Sequence, residues 1–290
     1  MQKRNRAFVL CLILGTMAGC ASNGPNPEDV AKEMYSRETL LSSAEQNMQN
    51  GYEDRALAIY QSLLSRNGND KQVLAAAAVV SRELGDYELS ATYFKKLLLL
   101  TPDDETVREQ LAEVNIQRQH YDEAESDFKL LTASSTQKWR AWNGLGMIAD
   151  LRGNYTKSAG YYAKAIEANP DNAEIRNNRG YSLIMAHRYK EAETVLREGL
   201  RDDPGNQRIH NNLLIALAWQ GRYDEAVSVG RVSLQEWIAY NNVGYIAQLK
   251  GDYDAAVDLY NAALSSSPRF YPTAATNLDA VMFLKKKRTK

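Results

Sequence analysis

The sequence predicts an all-α fold, a solenoid of about seven antiparallel helix pairs with a C-terminal capping helix. The main observation is a short turn motif, Gly153-Asn-Tyr-Thr-Lys-Ser158 in one copy, that recurs along the chain. The small residue that closes each copy falls at positions 56, 90, 124, 158, 192, 226 and 256, giving five steps of 34 residues and a last step of 30. A period of this length indicates supersecondary units stacked in a row.

Two further patterns indicate how each unit packs. One turn after the small residue, six copies carry a bulky residue: Tyr60, Phe94, Phe128, Tyr162, Leu196 and Tyr260. The preceding helix carries a small residue at the matching place in six copies: Ala44, Ala78, Ala112, Gly146, Gly180 and Gly244. A small residue opposite a bulky one lets two helices cross closely. The sixth copy has Leu214 and Gly230 at these places, so we expect a wider or repacked crossing there.

Together with prolines that close several second helices (Pro102, Pro170, Pro204 and Pro268), this pattern resembles the tetratricopeptide repeat family from about Leu40 onward. The resemblance implies a right-handed superhelix whose first helices line a concave groove. Because each pair buries its apolar face only against its neighbours, stability should be spread along the array.

The first 19 residues are predicted to be a lipoprotein signal peptide. Lys3, Arg4 and Arg6 precede a short apolar run, and Met17-Ala-Gly-Cys20 resembles the bacterial site at which Cys20 is acylated and becomes the first residue. The alternatives are an ordinary secretory peptide with a chance cysteine, or an uncleaved anchor. By the same resemblance, Ala21 points to the outer membrane, with the chain facing the periplasm. An acylated Cys20 would hold the protein on a membrane without spanning it.

The rest of the chain is divided by composition and by the repeat. Residues 20–27 comprise the lipidated cysteine and a flexible tether, 28–136 the first three repeats, 137–270 repeats four to seven, and 271–290 a capping helix with a basic tail. The tail is expected to be a solvated end. The 30-residue step predicts a kink or a shortened helix, and Ser233-Leu-Gln-Glu236 is read as a capping box that starts the next helix.

The functional signal lies in the first helices of repeats four to seven, where asparagine, a mediocre helix former, recurs. We predict a groove that binds a partner protein, lined by Asn143, Asn177, Asn178, Tyr181, Met185, Arg208, Asn211, Asn212, Ile215, Trp219, Asn241, Asn242 and Tyr245. In the repeat family such amides resemble a ladder that hydrogen-bonds an extended peptide, and an amide both donates and accepts. The alternative is that these side chains bridge adjacent helices of the solenoid.

Other function classes find little support. Without residues 1–19 the chain has 32 basic and 36 acidic residues, and no basic face is apparent, which argues against nucleic acid as a partner. The three histidines lie apart, so no metal site, cofactor, small-molecule substrate or catalytic centre is predicted, and a solenoid-borne enzyme is a minor alternative. Arg140 and Arg208 are candidate groove cations, but the lysines of the family's carboxylate-clamp version are missing.

The lipoprotein signal, the Asn-Gly-Leu-Gly and Asn-Asn-Arg-Gly-Tyr helices, the short sixth-to-seventh step and the Ser267-Pro-Arg-Phe-Tyr271 ending together resemble TadD, the lipoprotein family of tight adherence (Flp) pilus systems. That resemblance implies a pilotin, a periplasm-facing lipoprotein that binds the pilus secretin and assists its assembly in the outer membrane. The alternative is a general envelope scaffold that recruits peptidoglycan-remodelling enzymes.

Overall fold

A computed structural model of the protein describes residues 36–134 and 138–288. Within these ranges the regular structure consists of helices alone, which confirms the predicted fold class. The helices are α1 (Arg37–Gln49), α2 (Glu53–Arg66), α3 (Lys71–Glu83), α4 (Tyr87–Leu100), α5 (Glu105–Gln117), α6 (Tyr121–Ser134), α7 (Lys138–Leu151), α8 (Tyr155–Ala168), α9 (Ala173–Met185), α10 (Tyr189–Asp202), α11 (Gln207–Trp219), α12 (Tyr223–Gly230), α13 (Glu236–Leu249), α14 (Tyr253–Ser266) and α15 (Pro272–Arg288). The predicted signal peptide, Cys20 and the tether lie outside the described residues.

The helices form seven consecutive pairs, from α1–α2 to α13–α14, and α15 packs on the last pair. Each pair contacts its neighbours along the chain. From α5 onward the first helices of successive pairs also contact one another, whereas no comparable contact joins the second helices in the described part of the chain. The first helices therefore lie on the inner side of the curve. No helix among the described residues is both long and apolar enough to cross a membrane.

The turn inside each pair requires a left-handed residue. In five pairs this residue is glycine, at Gly51, Gly85, Gly153, Gly221 and Gly251, with φ between 69° and 82°. In the third and fifth pairs it is Gln119, with φ of 61°, and His187, with φ of 59°. A residue with a Cβ atom is strained in this region, so two turns carry a local cost that the other five avoid.

The predicted contact between small and bulky residues is present inside the pairs. A Cβ atom added to Gly146 would lie 2.6 Å from Cε1 of Tyr162, and one added to Gly180 would lie 2.4 Å from Cδ2 of Leu196. Both bulky partners are almost fully buried, at 1% and 0% exposure. Only a small residue on the first helix leaves room for them.

In the sixth pair the sizes are exchanged. Leu214 on α11 is 2% exposed, and a Cβ atom added to Gly230 on α12 would lie 2.5 Å from its Cδ1 atom. Of the two expectations for this crossing, wider or repacked, the structure confirms the second. Helix α12 has 8 residues where the other second helices have 14, so the 30-residue step is accommodated by a shortened helix.

The predicted capping box at Ser233 is wrong. Helix α13 begins at Glu236 with Gln235 as its N-cap, and no side chain caps it. The Ser233 hydroxyl instead donates to Oδ1 of Asn211 at 2.9 Å, and Glu236 forms an ion pair with Arg231. A tertiary hydrogen bond to the preceding inner helix has replaced the local one.

The C-terminal helix covers most of the segment 271–290 that was expected to hold a capping helix and a basic tail. It runs from Pro272 to Arg288 and buries Ala274 and Val281 against the last pair. The basic residues 285–288 belong to this helix, and all four are exposed. The side chain of Lys285 forms an ion pair with Asp254, and Arg288 donates to the carbonyl oxygen of Gly251 at 3.1 Å.

Ion pairs link neighbouring pairs beside the turns. Arg152 contacts Asp122 at 2.5 Å and also binds Glu125, which accepts from Lys129 at 2.8 Å. The Glu125 carboxylate is only 13% exposed. Hydrogen bonds from Lys129 and Arg152 lower the pKa of Glu125 to about 2.

Candidate functional site

Two cavities follow one another along the inner surface of the later repeats. The first, of about 450 Å³, lies between α7, α9 and α11 and is lined by Met147, Asp150, Leu151, Tyr162, Asn177, Asn178, Tyr181, Arg208, Asn211 and Asn212. The second, of about 460 Å³, lies between α11 and α13 and is lined by Asn211, Leu214, Ile215, Leu234, Asn241, Asn242, Tyr245, Ile246 and Leu249. Because Asn211 lines both, we treat them as one continuous surface, here called the amide groove.

Asparagine side chains cross this surface from one inner helix to the next. Nδ2 of Asn178 donates to Oδ1 of Asn143 at 3.0 Å, and Nδ2 of Asn212 donates to Oδ1 of Asn177 at 2.9 Å. Bridging of adjacent helices, the structural alternative considered for these residues, is therefore observed. Each side-chain amide has both donor and acceptor atoms, so a bridging amide that also lines a cavity keeps capacity for a ligand.

The asparagine bridges change where the repeat step shortens. Between α11 and α13, Asn211 accepts from Ser233, and Nδ2 of Asn241 lies 3.4 Å from Oδ1 of its neighbour Asn242. Bridging resumes at the cap, where Nδ2 of Asn277 on α15 donates to Oδ1 of Asn241 at 3.0 Å. The exposed Asn242 is thus the groove amide that contributes least to joining helices.

Apolar side chains form a row beside the amides. Tyr181 and Tyr245 are 48% and 49% exposed, and the partly buried Ile215 occupies the same register on α11. Met185 is also exposed but lines neither cavity. Trp219 also lines neither cavity. Its ring stacks on that of Tyr189, with 5.4 Å between the ring centroids. The groove thus includes the aromatic residues one turn after the amides and excludes Trp219.

Three apolar lining residues were missed by the sequence interpretation. Met147, Leu151 and Leu249 all contact the cavities and are 36%, 54% and 55% exposed. Met147 precedes Tyr181 by 34 residues, and Leu151 precedes Met185 by 34. The repeat period itself was therefore the signal that could have found the two residues on α7.

A carboxylate lies in the first cavity. Asp150 on α7 accepts from the Tyr162 hydroxyl at 2.9 Å and from the Ser182 hydroxyl at 2.6 Å, and Ser182 lies 2.9 Å from Ser158. Burial, with the nearby charge of Asp150, raises the pKa of Tyr162 well above its usual range. The hydroxyl is thus fixed as a donor to the carboxylate.

The two candidate cations occupy different surroundings. Arg208 is exposed and lines the first cavity. Arg140 lies in a neighbouring cavity of about 420 Å³, forms an ion pair with Glu109 at 3.2 Å and stacks over Trp139. Partial desolvation inside this cavity, followed by the charge of Glu109, raises the pKa of Glu113, whose side chain is still 49% exposed. Among the described residues, no cluster of three or more His, Cys, Asp and Glu side chains could hold a metal ion.

Comparisons with known proteins bear on the fold. Family models of the tetratricopeptide repeat match residues 72–104, 110–173, 161–194, 183–229 and 238–270. A search of functionally curated proteins gives no matching sequence.

Solved structures agree with the family models. A tetratricopeptide repeat protein from Parabacteroides merdae has 15% identity, a TM-score of 0.62, and coverage of 84% of this chain and 98% of its own. The C-terminal part of a TPR repeat-containing protein from Cytophaga hutchinsonii has 16% identity, a TM-score of 0.60, and coverage of 82% and 99%. The protein pilF of Pseudomonas aeruginosa has 16% identity, a TM-score of 0.54, and coverage of 67% and 88%. At such identities the likeness shows the fold alone.

Proposed function

Because the chain belongs to the tetratricopeptide repeat family and is a protein–protein interaction scaffold of that type, we propose that it is a pilotin. In this role it is a lipoprotein of the bacterial outer membrane that holds a segment of the secretin of a tight adherence (Flp) pilus in its amide groove. The partner is a protein, and the membrane is reached through the acylated Cys20. In this proposal the groove binds the secretin segment, and the lipid on Cys20 holds the complex at the outer membrane.

The observation that supports peptide capture is the amide groove itself. It is continuous over four inner helices and combines side-chain amides with half-exposed apolar side chains. Amides can pair with the backbone groups of an extended segment, and aromatic or aliphatic side chains can cover its apolar residues. A surface with both properties fits a peptide better than it fits a small polar solute.

The support for the anchor and the pilus system comes from the sequence. The ordered signal ending in Met17-Ala-Gly-Cys20 carries the lipid assignment, and the TadD resemblance carries the secretin. Tethering a captured segment at the membrane raises its local concentration there, which assists assembly without any new contact. A captured secretin would thus be brought to the outer membrane, where it assembles.

The groove is tested by changing exposed side chains that join no helices. Tyr181→Ser combined with Tyr245→Ser should weaken recovery of the secretin after crosslinking in cells. Tyr52→Ser is the matched control, because Tyr52 is 50% exposed at the start of α2, away from the groove. Equal secretin recovery with all three proteins would exclude the groove from partner binding. Recovery of peptidoglycan-remodelling enzymes in place of the secretin would favour the general envelope scaffold.

The anchor is tested separately. Cys20→Ser should move the protein from the outer-membrane fraction to the soluble periplasmic fraction, and mass analysis of the wild-type protein should find acyl chains on Cys20. An unmodified Cys20 in the native host would contradict the lipoprotein assignment while leaving the groove untouched.

A further inference from the structure

The carboxylate of Asp150 lacks a cationic partner. Its two hydrogen-bond donors, the hydroxyls of Tyr162 and Ser182, belong to side chains that are 1% and 2% exposed. Among the described residues no Lys, Arg or His nitrogen forms an ion pair with it, and both of its hydrogen-bond donors are neutral. Asp150 itself is only partly buried and lines the first cavity, so its negative charge faces that space with no cation beside it.

The seventh repeat shows that the tyrosine does not require this charge. Gln248 occupies the register of Asp150, and Tyr260 that of Tyr162. There the Tyr260 hydroxyl donates to Oε1 of Gln248 at 2.8 Å, in the same geometric role as the bond of 2.9 Å to Asp150. A neutral amide thus satisfies the buried tyrosine equally well. The negative charge at position 150 is not needed for packing between the helices of its pair.

The surroundings of Asp150 suit an organic cation. The carboxylate lines the first cavity of the amide groove, about 450 Å³ in volume, together with the half-exposed ring of Tyr181 and the apolar side chains of Met147 and Leu151. Apolar and aromatic walls accommodate the methylene stem of a lysine or arginine, and the face of a tyrosine ring attracts its charged end. Arg208, the one cation that lines this cavity, is exposed and is not bonded to Asp150.

We propose that the first cavity is a specificity pocket for a basic side chain, in which Asp150 pairs with the ammonium or guanidinium group of a Lys or Arg carried by the bound segment. This deepens the proposed function and rests on it, since it assumes that the groove binds a peptide. A segment anchored in this way would present its basic residue between α7 and α9 and its neighbouring residues to the amides of α9 and α11. The charge on Asp150 then selects among peptides that the rest of the groove would accept alike.

The test uses a random 12-residue peptide library displayed on phage and selected on immobilised protein. Peptides enriched by the wild-type protein should carry Lys or Arg at one shared position. The best sequence is then synthesised with its basic residue intact and with norleucine in its place, which keeps the stem and removes the charge. We expect the norleucine peptide to bind with a dissociation constant at least tenfold higher, because it cannot form the charge pair with Asp150. Equal affinities, or enrichment without a shared basic position, would overturn the pocket.

Two variants complete the design. Asp150→Asn should bind the basic and norleucine peptides with affinities within about threefold of each other, while its far-UV circular dichroism spectrum matches that of the wild type, because the amide oxygen still accepts a hydroxyl donor. Asp252→Asn is the matched control, since Asp252 also accepts a tyrosine hydroxyl, that of Tyr223 at 3.1 Å, but lies at the start of α14. Undiminished charge discrimination by Asp150→Asn would assign Asp150 a purely structural role. Failure of the library to yield any groove-dependent peptide would instead count against the proposed function.

Discussion

Leu214 and Gly230 interlock with the large and small partners reversed relative to the other six pairs. The Cδ1 atom of Leu214 occupies the space that a Cβ atom on Gly230 would need, with 2.5 Å between them. In the preceding pair the small residue is Gly180 on the first helix and the large one is Leu196 on the second. Both crossings contain one glycine and one leucine, but in the sixth pair the leucine lies on the first helix instead of the second.

This relationship predicts a strong coupling between the two positions. Gly230→Ala should destabilise the protein by about 1–3 kcal/mol, because overpacking a filled crossing forces a shift. In a Leu214→Ala background the same change should cost less, since the contact with Leu214 is gone and only the Cβ atom of Ala239, at 3.0 Å, remains close. Chemical denaturation of the two single variants and the double variant measures this coupling. An identical cost of Gly230→Ala in both backgrounds would disprove the contact.

The left-handed turns predict a stabilising substitution. Gln119 has a φ of 61°, is exposed, and its side chain donates no hydrogen bond to the described residues. Gln119→Gly should therefore raise stability by about 1 kcal/mol, because glycine adopts this conformation without strain. The reverse change, Gly85→Gln, should lower stability by a similar amount, since φ there is 77° and no neighbour lies within 4 Å of the added Cβ. Thermal midpoints moving in the same direction for both variants would contradict the argument.

The ion pairs of Glu125 predict a loss of stability in acid. Its pKa is lowered from 4.5 to about 2 in the folded state, so its contribution is complete above pH 4.5 and declines as the pH falls towards 2. Glu125→Gln should cost about 1 kcal/mol at pH 7, a modest value because its partners remain in contact with water. The difference from wild type should shrink progressively below pH 4.5.

Glu167→Gln is the control for that series, since Glu167 is exposed on α8 and forms no ion pair within the described part of the chain. Denaturation midpoints measured from pH 7 to 2.5 should show no pH-dependent difference between this variant and the wild type. A Glu125→Gln difference that stayed constant over the same range would show that the carboxylate is not paired in solution.

The amide bridges predict that the groove asparagines differ in how much they contribute to the stability of the fold. Asn178→Ala with Asn212→Ala should lower the thermal midpoint, because each bridge contributes about 1 kcal/mol and the oxygen of the buried Asn143 loses its donor. Asn242→Ala should leave the midpoint unchanged, since Asn242 is exposed and joins no other helix. The far-UV circular dichroism spectra of the wild type, the Asn178→Ala/Asn212→Ala double variant and Asn242→Ala should be the same at 20 °C. Equal losses from Asn242→Ala and the bridging variants would refute this division.

The repeat period made most of the fold predictable from the sequence. Spacing alone identified the pairs, the small and bulky positions and the anomaly at Leu214, because each unit repeats one local arrangement of side chains. The capping box at Ser233 could not be judged in this way. A serine three residues after a helix end can bond locally or reach another helix, and the contact with Asn211 depends on the path of the shortened repeat.

The site was predictable only in part for the same reason. The sequence named the amides and Tyr181, and the period could have added Met147 and Leu151. It could not show that Asn178 is engaged with Asn143, because that contact depends on the rotation between neighbouring inner helices. Asp150 was missed because its role depends on partners 12 and 32 residues away, Tyr162 and Ser182.

The shortened α12 shows where this architecture tolerates a change of chain length. The inner helices on both sides of it, α11 and α13, retain 13 and 14 residues, so the deficit falls on the outer wall. Residues 231–235, which follow α12, lead the chain back to the inner side, where Ser233 donates to Asn211 and Leu234 lines the second cavity. A change of chain length at this repeat is therefore absorbed by the outer helix, upstream of these contacts, and the spacing of the residues that face a ligand is preserved.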